Sequence, residues 1–235
     1  MHYIYGFHPC HMALLNPNRK IEKIIITQSS ILEKLPPLGK MKVEVVDRKN
    51  LENRLPPGSV HQGIALSVHP LPNFSLDDLQ IHPESNQRVV VLDHVSDPHN
   101  VGAILRSAAV FGAKAVIMTE RHAPKESGVL AKSASGALEV VPMSIVSNLA
   151  HALRELKELG FWCIGFAESG KKTLCELDLK GKTALIFGGE GDGMRRLTQD
   201  LCDFTVRLPC EESFSTLNVS NAAAVGLYEV YKQQK

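Results

Sequence analysis

Two rhythms of apolar residues divide the chain. Up to about residue 70, short apolar runs alternate with turn chemistry. YIYG reads as a strand, FHPCHMALL as a helix, IEKIIIT as a buried strand, KVEVVD as an alternating one and GIALSV as another. NPN at 16–18, LPPLG at 35–39 and LPPG at 55–58 separate them. From residue 88 the runs lengthen. RVVVLDHV, KAVIM, FWCIGFAE, TALIFGGEG and FTVRLP are rich in β-branched residues, as strands buried on both faces are. Helices are predicted after RVVVLDHV, over SIVSNLAHALRELKELG, over MRRLTQDLC and at the C-terminus, with a loop between KAVIM and SIVSN. Strands alternating with helices predict a parallel sheet covered on both faces. The expected organisation is a small α/β unit over 1–70, a linker over 71–87 and a larger α/β unit over 88–235. The linker is rich in Pro, Asn, Asp and Ser, but Leu71, Phe74, Leu76, Leu79 and Ile81 predict that it packs on a surface.

Composition narrows the class. The 235 residues are 44% hydrophobic and 22% charged, enough to bury a core and too apolar for a disordered chain. No apolar run reaches the roughly 18–20 residues that span a bilayer, and MHYIYGFHPC has no secretory leader pattern. The five cysteines are scattered without a CxxC pair, so neither a disulfide framework nor a zinc site is expected, and a reducing cytoplasm is. His8-Pro9-Cys10-His11 reads as a turn entering a helix, since no second ligand pair has matching spacing; no metal and no membrane partner are expected. Residues 1–72 carry nine Lys/Arg against five Asp/Glu, and the rest 17 against 20. A basic front on a mildly acidic body suits an RNA-gripping module attached to a catalytic one.

Three segments carry candidate chemistry. LDHVSDPHNVGAILRSAAVFGA (92–113) runs from a buried strand into a helix, with Asp97 as N-cap, Pro98 at the first helical position and an apolar stripe of Val101, Ile104, Leu105, Ala108 and Ala109. Gly102 would leave room beside Arg106, one turn on. TALIFGGEGDGMRRL (183–197) passes from a strand through a glycine-rich turn into a helix. Its register is not G-x-G-x-x-G, which disfavours a dinucleotide site. FTVRLPCEESFSTLNVSNAAAVGLYEV (204–230) leads through a polar loop into a helix with small residues on one face.

In this order the three segments resemble the motifs of the SpoU/TrmH family of SPOUT methyltransferases. Asn100, Gly102, Arg106, Ser107 and Ala108 match N-x-G-x-x-x-R-[SA]-A; Gly188, Glu190, Gly191 and Gly193 match G-x-E-G-x-G; Ser215 to Ser220 match S-[ST]-L-N-V-S. YGFHPCHMALL, VHQGIAL and DPHN resemble the bacterial 23S rRNA guanosine 2′-O-methyltransferase branch. The resemblance implies an α/β fold with a C-terminal trefoil knot, an L30e-like RNA-binding front domain, and a homodimer. The implied reaction is S-adenosylmethionine-dependent methylation of a ribose 2′-OH in RNA, most specifically a guanosine of 23S rRNA.

By the same resemblance Arg106, Asn100 and Glu190 are the catalytic residues, with Asn100 and Glu190 fixing Arg106 and the target ribose. The donor is implied to sit against Gly188, Gly189, Leu208, Leu217, Asn218, Phe187 and Thr216, and the RNA against Asn100, Arg106, His61 and Gln62. Thr216 stands where many relatives carry Ser and keeps the hydroxyl. Glu211 and Glu212 stand where small residues are usual, and are expected to face away from RNA or to tune substrate choice. A tRNA ribose methyltransferase, a resistance-conferring rRNA methyltransferase and a non-catalytic RNA-binding assembly factor remain open readings.

Overall fold

In the computed structural model, which describes residues 1–81, 85–211 and 217–235, the two rhythms become two sheets. The front unit holds β1 (His2–Tyr5), α1 (Phe7–Leu15), β2 (Ile21–Ile26), β3 (Val43–Val45), α2 (Arg48–Glu52) and β4 (Ile64–Val68), in strand order β1-β4-β2-β3. β4 pairs antiparallel with both neighbours, while β2 and β3 run parallel. Ile24, Ile25, Ile26, Ile64, Ala65 and Leu66 are fully buried, as their uninterrupted apolar runs require.

The larger unit holds β5 (Gln87–Asp93), α3 (Pro98–Val110), β6 (Val116–Thr119), α4 (Gly128–Ala134), β7 (Met143–Val146), α5 (Leu149–Glu158), β8 (Trp162–Phe166), β9 (Lys172–Thr173), β10 (Lys182–Gly188), α6 (Arg196–Leu201), β11 (Phe204–Arg207) and α7 (Val219–Gln233). Its seven strands form one parallel sheet in the order β7-β6-β5-β10-β8-β11-β9. α3 begins as its capping chemistry predicts: the Asp97 side chain accepts from the His99 N–H and Pro98 is the first helical residue.

Two local expectations need correction. The helix expected over SIVSNLAHALRELKELG starts only at Leu149, because Met143–Val146 pair with β6 as an added strand and Asn148 caps the helix behind them. β-branched Ile145 and Val146 fit a ladder better than a helix start. The stretch expected as a loop contains α4, capped by the Ser127 side chain.

Residues 69–79 lie against both units. The Asn73 amide donates to the Ile145 carbonyl at 3.1 Å and its carbonyl accepts the Ile145 N–H at 2.6 Å. Leu76 and Leu79 are buried under α5 and the sheet.

α4 joins the sheets. A Cβ on Gly128 would lie 2.3 Å from the Tyr5 ring and 2.7 Å from the Tyr3 carbonyl, so α4 starts in contact with β1. Ile4, Cys10 and Ala13 of the front unit share one apolar cluster with Leu130, Ala131 and Ala134. Arg19, its side chain fully buried, lies between two carboxylates of the larger unit. Its Nε donates to both oxygens of Glu139 at 3.1 Å, Nη2 donates to Glu139 Oε1 at 2.6 Å, and Nη1 donates to Glu126 and to the His69 carbonyl.

Gly102 has a reason other than space for Arg106. A Cβ there would lie 2.4 Å from Ser133 Cβ and 2.9 Å from the Ala134 nitrogen, so the missing side chain lets α3 and α4 touch. Alanine is the better helix former by about 1 kcal/mol, yet the Ala134 nitrogen and the Leu130 carbonyl, 3.0 Å from that Cβ, are backbone and cannot yield cheaply. Gly102→Ala is expected to destabilise by about 1–3 kcal/mol, read as a lower urea midpoint at unchanged m-value. An unchanged or raised midpoint would refute this packing account.

Candidate active site at the carboxyl ends of β5 and β10

Chain order locates the site. The chain leaves β5 toward β6 and β7, then crosses to the other side, where β10 pairs with β5. This reversal is a topological switch point, and open α/β sheets bind ligands there, beyond the carboxyl ends of the strands. In the β5–β10 register the last residues, Asp93 and Gly188, stand opposite each other. The first motif leaves β5 and the glycine-rich turn leaves β10 at this place.

Three side chains from three motifs meet above the switch point. The Asn100 amide donates to Glu190 Oε1 at 2.8 Å. The Asn218 amide donates to the same oxygen at 3.0 Å and to Asn100 Oδ1 at 3.0 Å. Asn218 is also the N-cap of α7, its carbonyl accepting the Ser220 N–H at 2.9 Å and the Ser220 hydroxyl at 2.6 Å. One carboxylate oxygen therefore carries two amide donors, and the other makes no protein hydrogen bond among the described residues. Asn100 is buried and Glu190 exposed, so the acid is held from below and open above.

The glycine-rich turn closes on itself. A Cβ on Gly188 would lie 2.1 Å from Met194 N, and one on Gly189 would lie 2.5 Å from the His94 carbonyl. Gly191 and Gly193, at φ 91° and 65°, take left-handed backbone that other residues resist. The N–H groups of Glu190, Gly191 and Asp192 have no backbone acceptor among the described residues, leaving a row of donors at the sheet's carboxyl edge.

The other predicted residues divide. Leu217 is exposed beside Asn218, and Leu208, just past β11, packs its side chain on the core edge. The Phe187 side chain lies in the core, stacked on Phe166 at 4.3 Å, so only its backbone reaches the site. Thr216 and Glu212 lie outside the described residues; Glu211 is exposed. Arg106 is not held by Asn100 or Glu190: it is exposed on α3, on the same face as Val110 one turn on. His61 is buried, its Nδ1 accepting the Gly63 N–H at 3.0 Å. Gln62 links the two units: its Oε1 accepts from the Phe7 N–H at 3.0 Å and from Lys132 Nζ, on α4, at 2.9 Å.

Sequence reasoning missed Asp93. It is fully buried and accepts from the Arg195 Nε at 2.8 Å and from the Arg195 N–H at 2.9 Å, tying the end of β5 to the end of the glycine-rich turn. A charged residue ending an apolar run was the available signal, because buried acids are paired.

Among the described residues no group of three His, Cys, Asp or Glu side chains is placed to hold a metal, and no helix is long and apolar enough to cross a membrane. Residues 87–228 match the model of the SpoU rRNA methylase family, and residues 3–74 match that of an RNA 2′-O ribose methyltransferase substrate-binding domain. The chain is 37% identical to the 23S rRNA (guanosine-2′-O-)-methyltransferase RlmB of Pseudomonas aeruginosa, over 98% of this chain and 96% of that one. It is 39% identical to the enzyme of that name from Pasteurella multocida, over 98% of each. Among solved structures, the SpoU methyltransferase AviRb from Streptomyces viridochromogenes, in complex with the cofactor AdoMet, superposes with a TM-score of 0.84 at 24% identity, over 98% of this chain and 89% of that one.

Proposed function

The chain belongs to the SpoU rRNA methylase family, and from that premise we propose that it transfers a methyl group from S-adenosylmethionine to the 2′-hydroxyl of a guanosine in 23S rRNA. The observation that carries the reading is the hydrogen-bonded set Asn100–Glu190–Asn218 at the switch point, one residue from each motif. Relatives named for this reaction match along nearly the whole chain, front unit included, which favours it over a tRNA substrate.

The donor set fits this cofactor. Backbone N–H groups of the glycine-rich turn suit its polar ends, and Leu208 and Leu217 offer apolar contact to its flat ring. Gly188, Gly189 and the Phe187 backbone line the strand end, and Asn218 stands at the start of α7. Bound there, S-adenosylmethionine supplies a methyl group made electrophilic by its sulfonium. A ribose hydroxyl is a weak nucleophile, so most of the work is alignment. Glu190 Oε1 is occupied by two amides, and Oε2 accepts the hydrogen bond of the 2′-OH, orients its lone pair and takes up the proton that the hydroxyl loses. A guanidinium is a planar fork of donors with no acceptor, so Arg106 holds the nucleotide's phosphate and offsets developing charge; it is not the base. His61 and Gln62 act on RNA indirectly, through the shape of the front unit.

The exposed face of α3 and α7 unites Arg106 with Val110, Val225 and Tyr228, three large apolar side chains 46–67% exposed. Apolar surface of this kind marks a contact, and we assign it to a second copy of the chain, which makes the enzyme a homodimer with Arg106 at the interface. The trefoil knot of the family is assigned to the larger unit, in which α7 comes back across β10 to pack on α3. The front unit is read as the L30e-like RNA-binding domain, and the enzyme as cytoplasmic.

The test is incubation with tritiated donor and ribosomal RNA from a strain lacking the modification, followed by mapping of the label. One labelled guanosine in 23S rRNA is expected. Label confined to tRNA, or no donor binding by calorimetry at millimolar ligand, would overturn the reading.

A further inference from the structure

Beside the proposed methyl-transfer site lies a cluster for which that reaction has no use. His94 and His122, at the carboxyl ends of the adjacent strands β5 and β6, stack with ring centroids 3.7 Å apart and planes inclined by 31°. His94 holds φ at 62°, a left-handed conformation that a residue with a side chain rarely takes and that persists where surrounding structure imposes it. This conformation sets its carbonyl against Gly189, so the stack borders the turn that carries Glu190. Arg195 is close enough for its charge to act on the His94 ring. Asp93 takes its Nε and its backbone N–H, one on each carboxylate oxygen, which anchors the guanidinium and leaves Nη1 and Nη2 unclaimed among the described residues. Exposed Arg121 adjoins His122.

The charges are arranged for an anion. Partial burial, then the charges of Arg195 and His122, hold the His94 imidazole below the usual histidine range; Asp93 opposes them and Arg121 adds to them. A neutral ring can stack on its neighbour without repulsion and still donate one N–H. Two guanidinium groups whose charges both act on the His94 ring, with an imidazole N–H between them, suit the oxygens of a phosphodiester, which arginine forks grip well.

We propose that His94, His122, Arg121 and Arg195 form a platform that binds the RNA backbone phosphate next to the nucleotide being methylated. The inference rests on the RNA-methylation reading of the Asn100–Glu190–Asn218 site. It adds the place where the strand is gripped.

The test uses the full-length chain and a 23S rRNA transcript, titrated without donor by fluorescence anisotropy across a potassium chloride series. Arg121→Ala/His122→Ala is expected to bind about tenfold more weakly, with a log Kd against log salt slope shallower by roughly 0.7–0.9 for each lost phosphate contact. The KM for RNA should rise in step, and donor affinity by calorimetry should stay at the wild-type value. Arg121→Lys should keep most of the slope, since it keeps the charge. Wild-type affinity and slope in the double variant would overturn the platform while leaving the methylation reading intact. Weaker binding at an unchanged slope would overturn it too, since a merely structural role loses no counterions. A wild-type chain that binds no RNA at any salt would instead overturn the methylation reading itself, and the platform with it.

Discussion

Arg106→Ala is expected to lower kcat for RNA methylation by about 10²–10³-fold, the loss seen when one preorganised donor to a developing charge is removed. Donor affinity should stay at the wild-type value, because the donor contacts proposed here lie on the glycine-rich turn and the start of α7. Stability should change by no more than about 0.5 kcal/mol, because the Arg106 side chain is exposed and bonded to nothing in its own chain among the described residues. Arg106→Lys should restore only a small part of the rate, since a point charge on a flexible stem does not reproduce a planar fork. Single-turnover kinetics with saturating donor separate these outcomes. Wild-type turnover in Arg106→Ala would remove Arg106 from the mechanism and leave Glu190 and the two asparagines to carry it.

The second large effect concerns the joint between the two sheets. Arg19→Met leaves Glu126 and Glu139 facing each other without their shared cation, both largely shielded from water. Breaking a buried ion cluster by removing one partner costs about 3–5 kcal/mol, which for a chain of this size lowers Tm by roughly 10 °C. Removing the acids as well, as in Arg19→Met/Glu126→Gln/Glu139→Met, should recover most of it, because the penalty comes from unpaired charge.

The cluster also predicts acid sensitivity. Burial disfavours the Glu126 charge, but the His2 imidazole 3.2 Å away, the hydrogen bond from the Leu71 N–H and the charge of Arg19 outweigh it and hold the carboxyl below its usual value of 4.5. A carboxyl depressed on folding stabilises the fold above the unfolded value, and that stabilisation is lost as pH falls through the folded one. Stability should therefore drop below about pH 4.5 in the wild type and less steeply in the triple variant. Thermal melts across pH 3–7 would show this; identical Tm values for wild type and Arg19→Met would refute the clamp.

Much of the architecture was legible in local patterns. α1 covers FHPCHMALL from end to end, α3 starts at its Asp97-Pro98 signal, and the continuous apolar runs became inner strands. These features depend on spacing, capping and backbone preference, which act over a few residues. The motif residues Asn100, Glu190 and Asn218 could be named from sequence, but their meeting around one carboxylate oxygen spans up to 118 residues and follows from strand order.

Tertiary structure decided the rest. Met143–Val146 could continue the following helix or join a sheet, and the free edge of β6 made them a strand. Gly102 fits a ligand site or a helix crossing equally well in sequence, and the approach of α4 assigns it to the crossing. Gln62 bonds across the two units, and Arg19, plain in sequence, is buried between two acids 107 and 120 residues away. No periodicity encodes such pairs, because each side chain's role is set by what the fold brings against it. The sequence by itself determined most of the strands and helices and named Asn100, Glu190 and Asn218 as candidates. The packing of the two sheets through α4, and the crossing of the chain from β7 to β8, decided where those residues meet.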